Sequence, residues 1–131
     1  MLVLINIFGE DRLGLTSDMT ILLSKFDAVI LDIGQAVIHN HLSLGLLVSL
    51  PYGSNCLEES VSQLGISAKF TPISLESYEN WLGLQGRTRQ ILTLLARKIS
   101  ASHLAAVCKV IERYGLSIDN ITRLSGRVPL V

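Results

Sequence analysis

The residues best suited to chemistry lie between the apolar run that opens the chain and the first amphipathic stretch: Gly9-Glu10-Asp11-Arg12-Leu13-Gly14-Leu15-Thr16. This loop leads from a strand-like segment into a helix amino terminus. Backbone N–H groups there have no intrahelical partner, and the helix dipole favours a carboxylate. Gly14 lets a ligand approach the backbone closely. Asp11 is placed to receive an ammonium group. Donors for a carboxylate beside one acid suit a zwitterionic amino acid. An ordinary strand–helix connection with an acidic residue near the helix start would show the same spacing.

Other reactive side chains form weaker patterns. His39 and His41 flank Asn40 at an expected turn, and His103 lies far along the chain. A metal site needs more ligands held at fixed distances, so no metal is expected. Cys56 and Cys108 have neither metal-ligand nor disulfide-framework spacing and are read as free thiols in a reducing cytoplasm. Ser17-Asp18-Met19-Thr20 lacks the second aspartate of a phosphotransfer nucleophile loop and falls inside a helix. Arg87, Arg89, Arg97 and Lys98 read as a solvated face. No catalytic residues are expected in this chain.

Composition narrows the partners. The chain has 131 residues, of which 49% are hydrophobic and 17% charged, with formal net charge zero. Phosphate-backbone binding needs a basic surface, so nucleic acid is excluded. No apolar run approaches the roughly 20 residues that span a bilayer. Met1 to Phe8 lacks a basic lead and reads as a first strand, not a signal peptide. So apolar a small chain leaves surface for another subunit or domain.

The elements that position the loop follow from periodicity. Leu2 to Phe8 is a buried strand. Thr16 to Phe26 is a helix with Leu15, Met19, Leu22, Leu23 and Phe26 on one face, capped by Thr16 or Ser17. Val29 to His39 is a second strand, and Asn40 turns the chain. His41 to Leu50 alternates, with Leu42, Leu44, Leu46, Val48 and Leu50 on one side. Ser54 or Asn55 caps a second helix carrying Leu57, Val61 and Leu64, and Gly65 ends it. Ile66 to Ile73 is a fourth strand. The order βαββαβ predicts an α+β, ferredoxin-like layer: a four-stranded antiparallel sheet with both helices on one face. Gly34, Ala36, Ser43 and Gly45 give strands two and three a small outer face suited to close packing.

Residues 75–88 read as a linker, with Trp81 placed to pack against a neighbour. Arg89 to Ala96 and Leu116 to Leu124 are strand-like, and Ser100 to Tyr114 is helical with Gly115 as its stop. A shift of about 88 positions places Phe26 on Tyr114, Ile30 on Ile118 and Ile33 on Ile121. Residues 89–131 therefore repeat the first βαβ half of 1–74 and then stop. Such a half buries too little to stand alone. It can pack on the first repeat, pair with its copy in another chain, or belong with a missing remainder; self-association through it is expected.

Asp11-Arg12-Leu13-Gly14-Leu15-Thr16 resembles the Asp-Arg-Pro-Gly-Ile-Thr loop of ACT domains. Ile30-Leu31-Asp32-Ile33-Gly34-Gln35-Ala36-Val37-Ile38-His39, with Leu42-Ser43-Leu44-Gly45, resembles the first ACT repeat of tandem-ACT phosphoserine phosphatases. The segments beginning at Ile91 and at Ile118 resemble their second repeat. The resemblance implies an amino-acid-sensing regulatory region, with L-serine or a relative as effector. It places Asp11, Leu13, Gly14, Leu15, Thr16, Val29, Asp32 and Gln35 at the effector site. It also implies L-serine biosynthesis in the cytoplasm, and a haloacid dehalogenase-like catalytic domain with Mg²⁺ outside this chain. This chain would need no cofactor. Leu13 stands where the family usually has proline, and Val29 where many serine-binding members have asparagine. Arg97-Lys98-Ile99-Ser100-Ala101-Ser102 replaces the second Asp-x-x-Gly loop, which removes a second ligand site. The competing reading is a free-standing tandem-ACT regulator acting by protein contact.

Overall fold

The computed structural model describes residues 1–84, 90–95, 97 and 99–123. They form two compact units, Met1–Thr88 and Arg89–Val131.

The first unit contains β1 (Leu2–Glu10), α1 (Leu15–Lys25), β2 (Val29–Ile38), β3 (His41–Ser49), α2 (Asn55–Gln63) and β4 (Ser67–Ile73). The strands form one antiparallel sheet in the order β2-β3-β1-β4. This is the α+β, ferredoxin-like arrangement that the pattern predicts. Alternation decides which way each strand faces. Val3, Ile5 and Ile7 of β1 and Leu42, Leu44, Leu46 and Val48 of β3 are buried in one cluster. Leu15, Met19 and Leu23 of α1 and Leu57 and Val61 of α2 complete it, so both helices cover the same sheet face. Each such side chain contributes about 1.5–3 kcal/mol on burial, which makes this cluster the main source of stability.

Backbone geometry marks the connections. His39 and Asn40 both take left-handed conformations, φ 47° and 61°. Two consecutive positive φ values make the two-residue turn that suits the right-handed twist of a hairpin. On the outer sheet face Gly34 lies opposite Gly45, and Ala36 opposite Ser43. The small face expected of strands two and three is therefore present. Gly65, at φ 71°, follows α2 as expected.

Three expectations need correction. The linker is helical over part of its length. Ser74 accepts from Ser77 N–H at 3.1 Å through its hydroxyl oxygen and opens α3 (Leu75–Leu84). Tyr78 and Trp81 stack on α3 with ring centroids 5.8 Å apart. A Ser cap followed by apolar residues three and four apart outweighed the polar Glu76, Glu79 and Asn80.

The cap of α1 also differs. Gly14, at φ 85°, occupies the cap position and no side chain caps the helix; the Thr16 hydroxyl is directed elsewhere.

The largest correction concerns the strands expected on either side of the last helix. That helix is α4 (Ala101–Arg113), but residues 90–95 and 116–123 are in no strand; Arg89, Ala96 and Leu124 lie outside the described residues. The sheet order gives the reason. In the first unit β1 and β2 are not neighbours, because β3 lies between them. A βαβ half therefore has two strands that cannot hydrogen-bond to each other, and neither ladder forms without a third strand.

α4 starts differently from α1 but ends in the same way. Ser100 and His103 form a reciprocal cap, His103 N–H to Ser100 Oγ at 3.3 Å and Ser100 N–H to His103 Nδ1 at 3.4 Å. At its other end Leu116 N–H donates to Ile111 O and Gly115 N–H to Glu112 O. At the end of α1, Ala28 N–H donates to Leu23 O and Asp27 N–H to Ser24 O. Both helices thus leave through the same double-bonded turn. Its left-handed residue is Asp27 in one and Gly115 in the other, related by the same shift that aligns the sequences.

Candidate effector site

The β1–α1 loop is held at both ends. Asp11 N–H donates to Asn40 O at 2.7 Å, which ties the loop to the β2–β3 turn. Leu15 N–H donates to Arg12 O, and Asp18 N–H to Gly14 O at 2.8 Å opens the helix ladder. The N–H groups of Thr16 and Ser17 precede that first ladder bond, so the helix itself does not use them. Gly14 takes a conformation that residues with a Cβ rarely adopt. The Arg12–Asp18 contact at 3.7 Å has both side chains about half exposed. An ion pair so solvated contributes little.

From the first turn of α1, Thr16 Oγ1 donates to Gln35 Oε1 on β2 at 2.6 Å. Gln35 lies opposite Leu44, on the helix-covered side of the sheet. Near the same end, the His41 ring nitrogen Nδ1 contacts His39 O at 2.9 Å. Among the described residues no group of three His, Cys, Asp or Glu could hold a metal ion. His103 belongs to the α4 cap. Both cysteines are free.

The eight expected site residues divide. Asp11, Leu13 and Gly14 lie in the loop, and Leu13 projects fully into solvent. Thr16 and Gln35 meet. Leu15 is buried in the core. Val29 and Asp32 lie opposite Ser49 and Leu47, on the sheet face away from the helices. Asp32 Oδ1 accepts from Ile33 N–H at 3.0 Å beside an irregularity between Ile30 and Asp32. That extra residue shifts the alternation, so Val29 and Asp32, three residues apart, share one face, and regular alternation from Asp32 on puts Gln35 on the other. Sequence reasoning did not single out Asn40 as a site residue. Its signal was a turn-forming type at a hairpin tip, but its partner Asp11 is remote in sequence.

The fold and its strand–helix loop are those of a regulatory domain. Residues 1–76 match the ACT domain, and the chain belongs to that family. Nearly the whole chain is also similar to phosphoserine phosphatases. It is 28% identical over 126 residues to phosphoserine phosphatase SerB2 of Mycobacterium tuberculosis, covering 94% of this chain and 31% of that protein. It is 28% identical over 125 residues to the phosphoserine phosphatase of Streptomyces coelicolor, covering 94% and 30%. The chain thus spans about a third of the length of these curated relatives. In fold it is similar to an unknown protein from Galdieria sulphuraria, with TM-score 0.59, 18% identity, and coverage of 87% of this chain and 64% of that one. Among the described residues no helix is long and apolar enough to cross a membrane.

Proposed function

We propose that this chain is the amino-acid-sensing regulatory region of a cytoplasmic phosphoserine phosphatase, with L-serine or a close relative as effector. The observation that carries this reading is the similarity to phosphoserine phosphatases along 94% of the chain. The anchored loop supports it. The effector carboxylate lies against the N–H groups of Thr16 and Ser17, where the helix dipole favours negative charge. The ammonium group faces Asp11. Thr16 and Gln35 present hydroxyl and amide groups to the remaining polar atom. Gly14 keeps the approach free of a side chain.

Binding regulates a phosphatase domain outside this chain, which converts O-phospho-L-serine to L-serine through an aspartyl phosphate and supplies its own Mg²⁺ site. No catalytic step is assigned to this chain. Self-association accompanies the sensing role.

Calorimetry with L-serine tests the reading. Heat at millimolar serine that is lost in Gly14→Asp supports it. No heat, with Gly14→Asp indistinguishable from the parent chain, overturns it.

A further inference from the structure

The turn between β2 and β3 is strained, and it touches the β1–α1 loop. His39 and Asn40 take φ of 47° and 61°. Turns with two consecutive positive φ values commonly place glycine at one position or both; neither is glycine here. Residues with a Cβ persist in the left-handed region where their surroundings over-determine it, and such residues cluster at ligand sites.

His41 provides the constraint. Its ring nitrogen Nδ1 lies 2.9 Å from His39 O. A carbonyl oxygen only accepts, so Nδ1 carries the hydrogen and donates it. The bond closes a ring of atoms that runs from the His39 carbonyl through Asn40 to the His41 side chain. The peptide groups in that ring are planar, so its closure restricts the φ and ψ of Asn40 and with them the direction of Asn40 O. The His39 ring, with its centroid 6.3 Å from that of His41, packs within the range of aromatic pairs. Asn40 O is the acceptor for Asp11 N–H at 2.7 Å. In the sheet His41 lies opposite Glu10, the residue before Asp11. Two hydrogen bonds and one strained residue therefore connect the imidazole to the start of the effector loop.

We infer that His41 is a positioning residue for Asp11: its Nδ1–H locks the left-handed turn, and the turn's Asn40 carbonyl fixes the backbone from which the Asp11 carboxylate projects. His41 acts through the turn and touches no effector atom. Its bearing on serine rests on the sensing role proposed above; the lock on the turn does not. An exposed imidazole that merely rests on the nearest carbonyl would leave Asp11 unchanged when removed.

Three measurements on the full chain test this. Nitrogen-15 NMR of the neutral His41 ring is expected to show the Nδ1–H tautomer, whereas a free histidine side chain favours Nε2–H. His41→Phe keeps a ring and removes the donor. It is expected to speed exchange of the Asp11 amide about three- to tenfold, the equivalent of one exposed hydrogen bond, with exchange at Ile5 in the middle of β1 unchanged. L-serine should bind His41→Phe more weakly by a similar factor. His41→Asn, which restores a side-chain N–H near the position of Nδ1, should recover both. An Nε2–H tautomer, unchanged Asp11 exchange in His41→Phe, or a His41→Asn variant no better than His41→Phe overturns the inference. Equal serine affinity in His41→Phe and the parent chain overturns it too and leaves the sensing role standing. A parent chain that binds no serine, with Asp11 exchange still following His41, sinks the sensing role and leaves the lock on the turn.

Discussion

The Thr16 hydroxyl on α1 donates to Gln35 Oε1 on β2 across 2.6 Å, joining the start of a helix to an edge strand at the mouth of the anchored loop. Thr16 is partly buried and Gln35 exposed. A hydrogen bond this accessible adds little to folding, since water replaces either partner. Its consequence is to hold two polar groups in fixed positions beside the free N–H groups of α1. Gln35→Ala is expected to weaken serine binding roughly three- to tenfold, the equivalent of one neutral hydrogen bond. Calorimetry should register this while the thermal midpoint stays within a degree or two of the parent's.

Gly14 separates backbone strain from ligand exclusion. A Cβ there meets nothing within 4 Å, but φ is 85°. Gly14→Ala therefore introduces no clash and destabilises by about 1–2 kcal/mol through its left-handed backbone. Aspartate tolerates that conformation better than alanine. Gly14→Asp should fold at least as well as Gly14→Ala yet abolish serine binding, because its carboxylate repels that of the ligand. Urea titration and calorimetry on the two variants would show opposite rankings for stability and binding.

Asn40 links turn and loop. Its φ is 61°, and its carbonyl accepts from Asp11 N–H at 2.7 Å. Asn40→Val forces a β-branched residue into the left-handed region and should destabilise the first unit by about 1–2 kcal/mol. Hydrogen exchange at the Asp11 amide should quicken more than exchange in the middle of β1.

Leu46, at the centre of β3, is fully buried among the sheet and helix side chains. Leu46→Ala is expected to cost about 2–5 kcal/mol, measured by urea unfolding. Ser100→Ala should instead remove about 1 kcal/mol from α4 alone, seen as faster amide exchange in residues 101–104 with the first unit unchanged.

Much of the first unit was legible in the sequence. The alternation of Leu42, Leu44, Leu46 and Val48 and the helical spacing of Leu15, Met19 and Leu23 are local patterns, each reporting which side of an element meets the core. The β2–β3 turn was legible from Asn40. The α3 helix was missed because polar residues masked a Ser cap and an aromatic pair three residues apart. The candidate site was only partly legible. Asp11, Gly14 and Thr16 are contiguous in the loop, whereas the meeting of Thr16 with Gln35 depends on how α1 lies across β2.

The sequence by itself determined the order of elements in the βαββαβ part of the chain and their buried faces, because these follow from side-chain period. Only the tertiary structure decided that Val29 and Asp32, three residues apart, lie on the same face, because an irregularity in β2 resets the alternation after Ile30. It also decided that residues 90–95 and 116–123 stay out of strands. Strand propensity is local, but a strand exists only where another supplies its hydrogen bonds, and in this topology the two strands of one βαβ half are never neighbours.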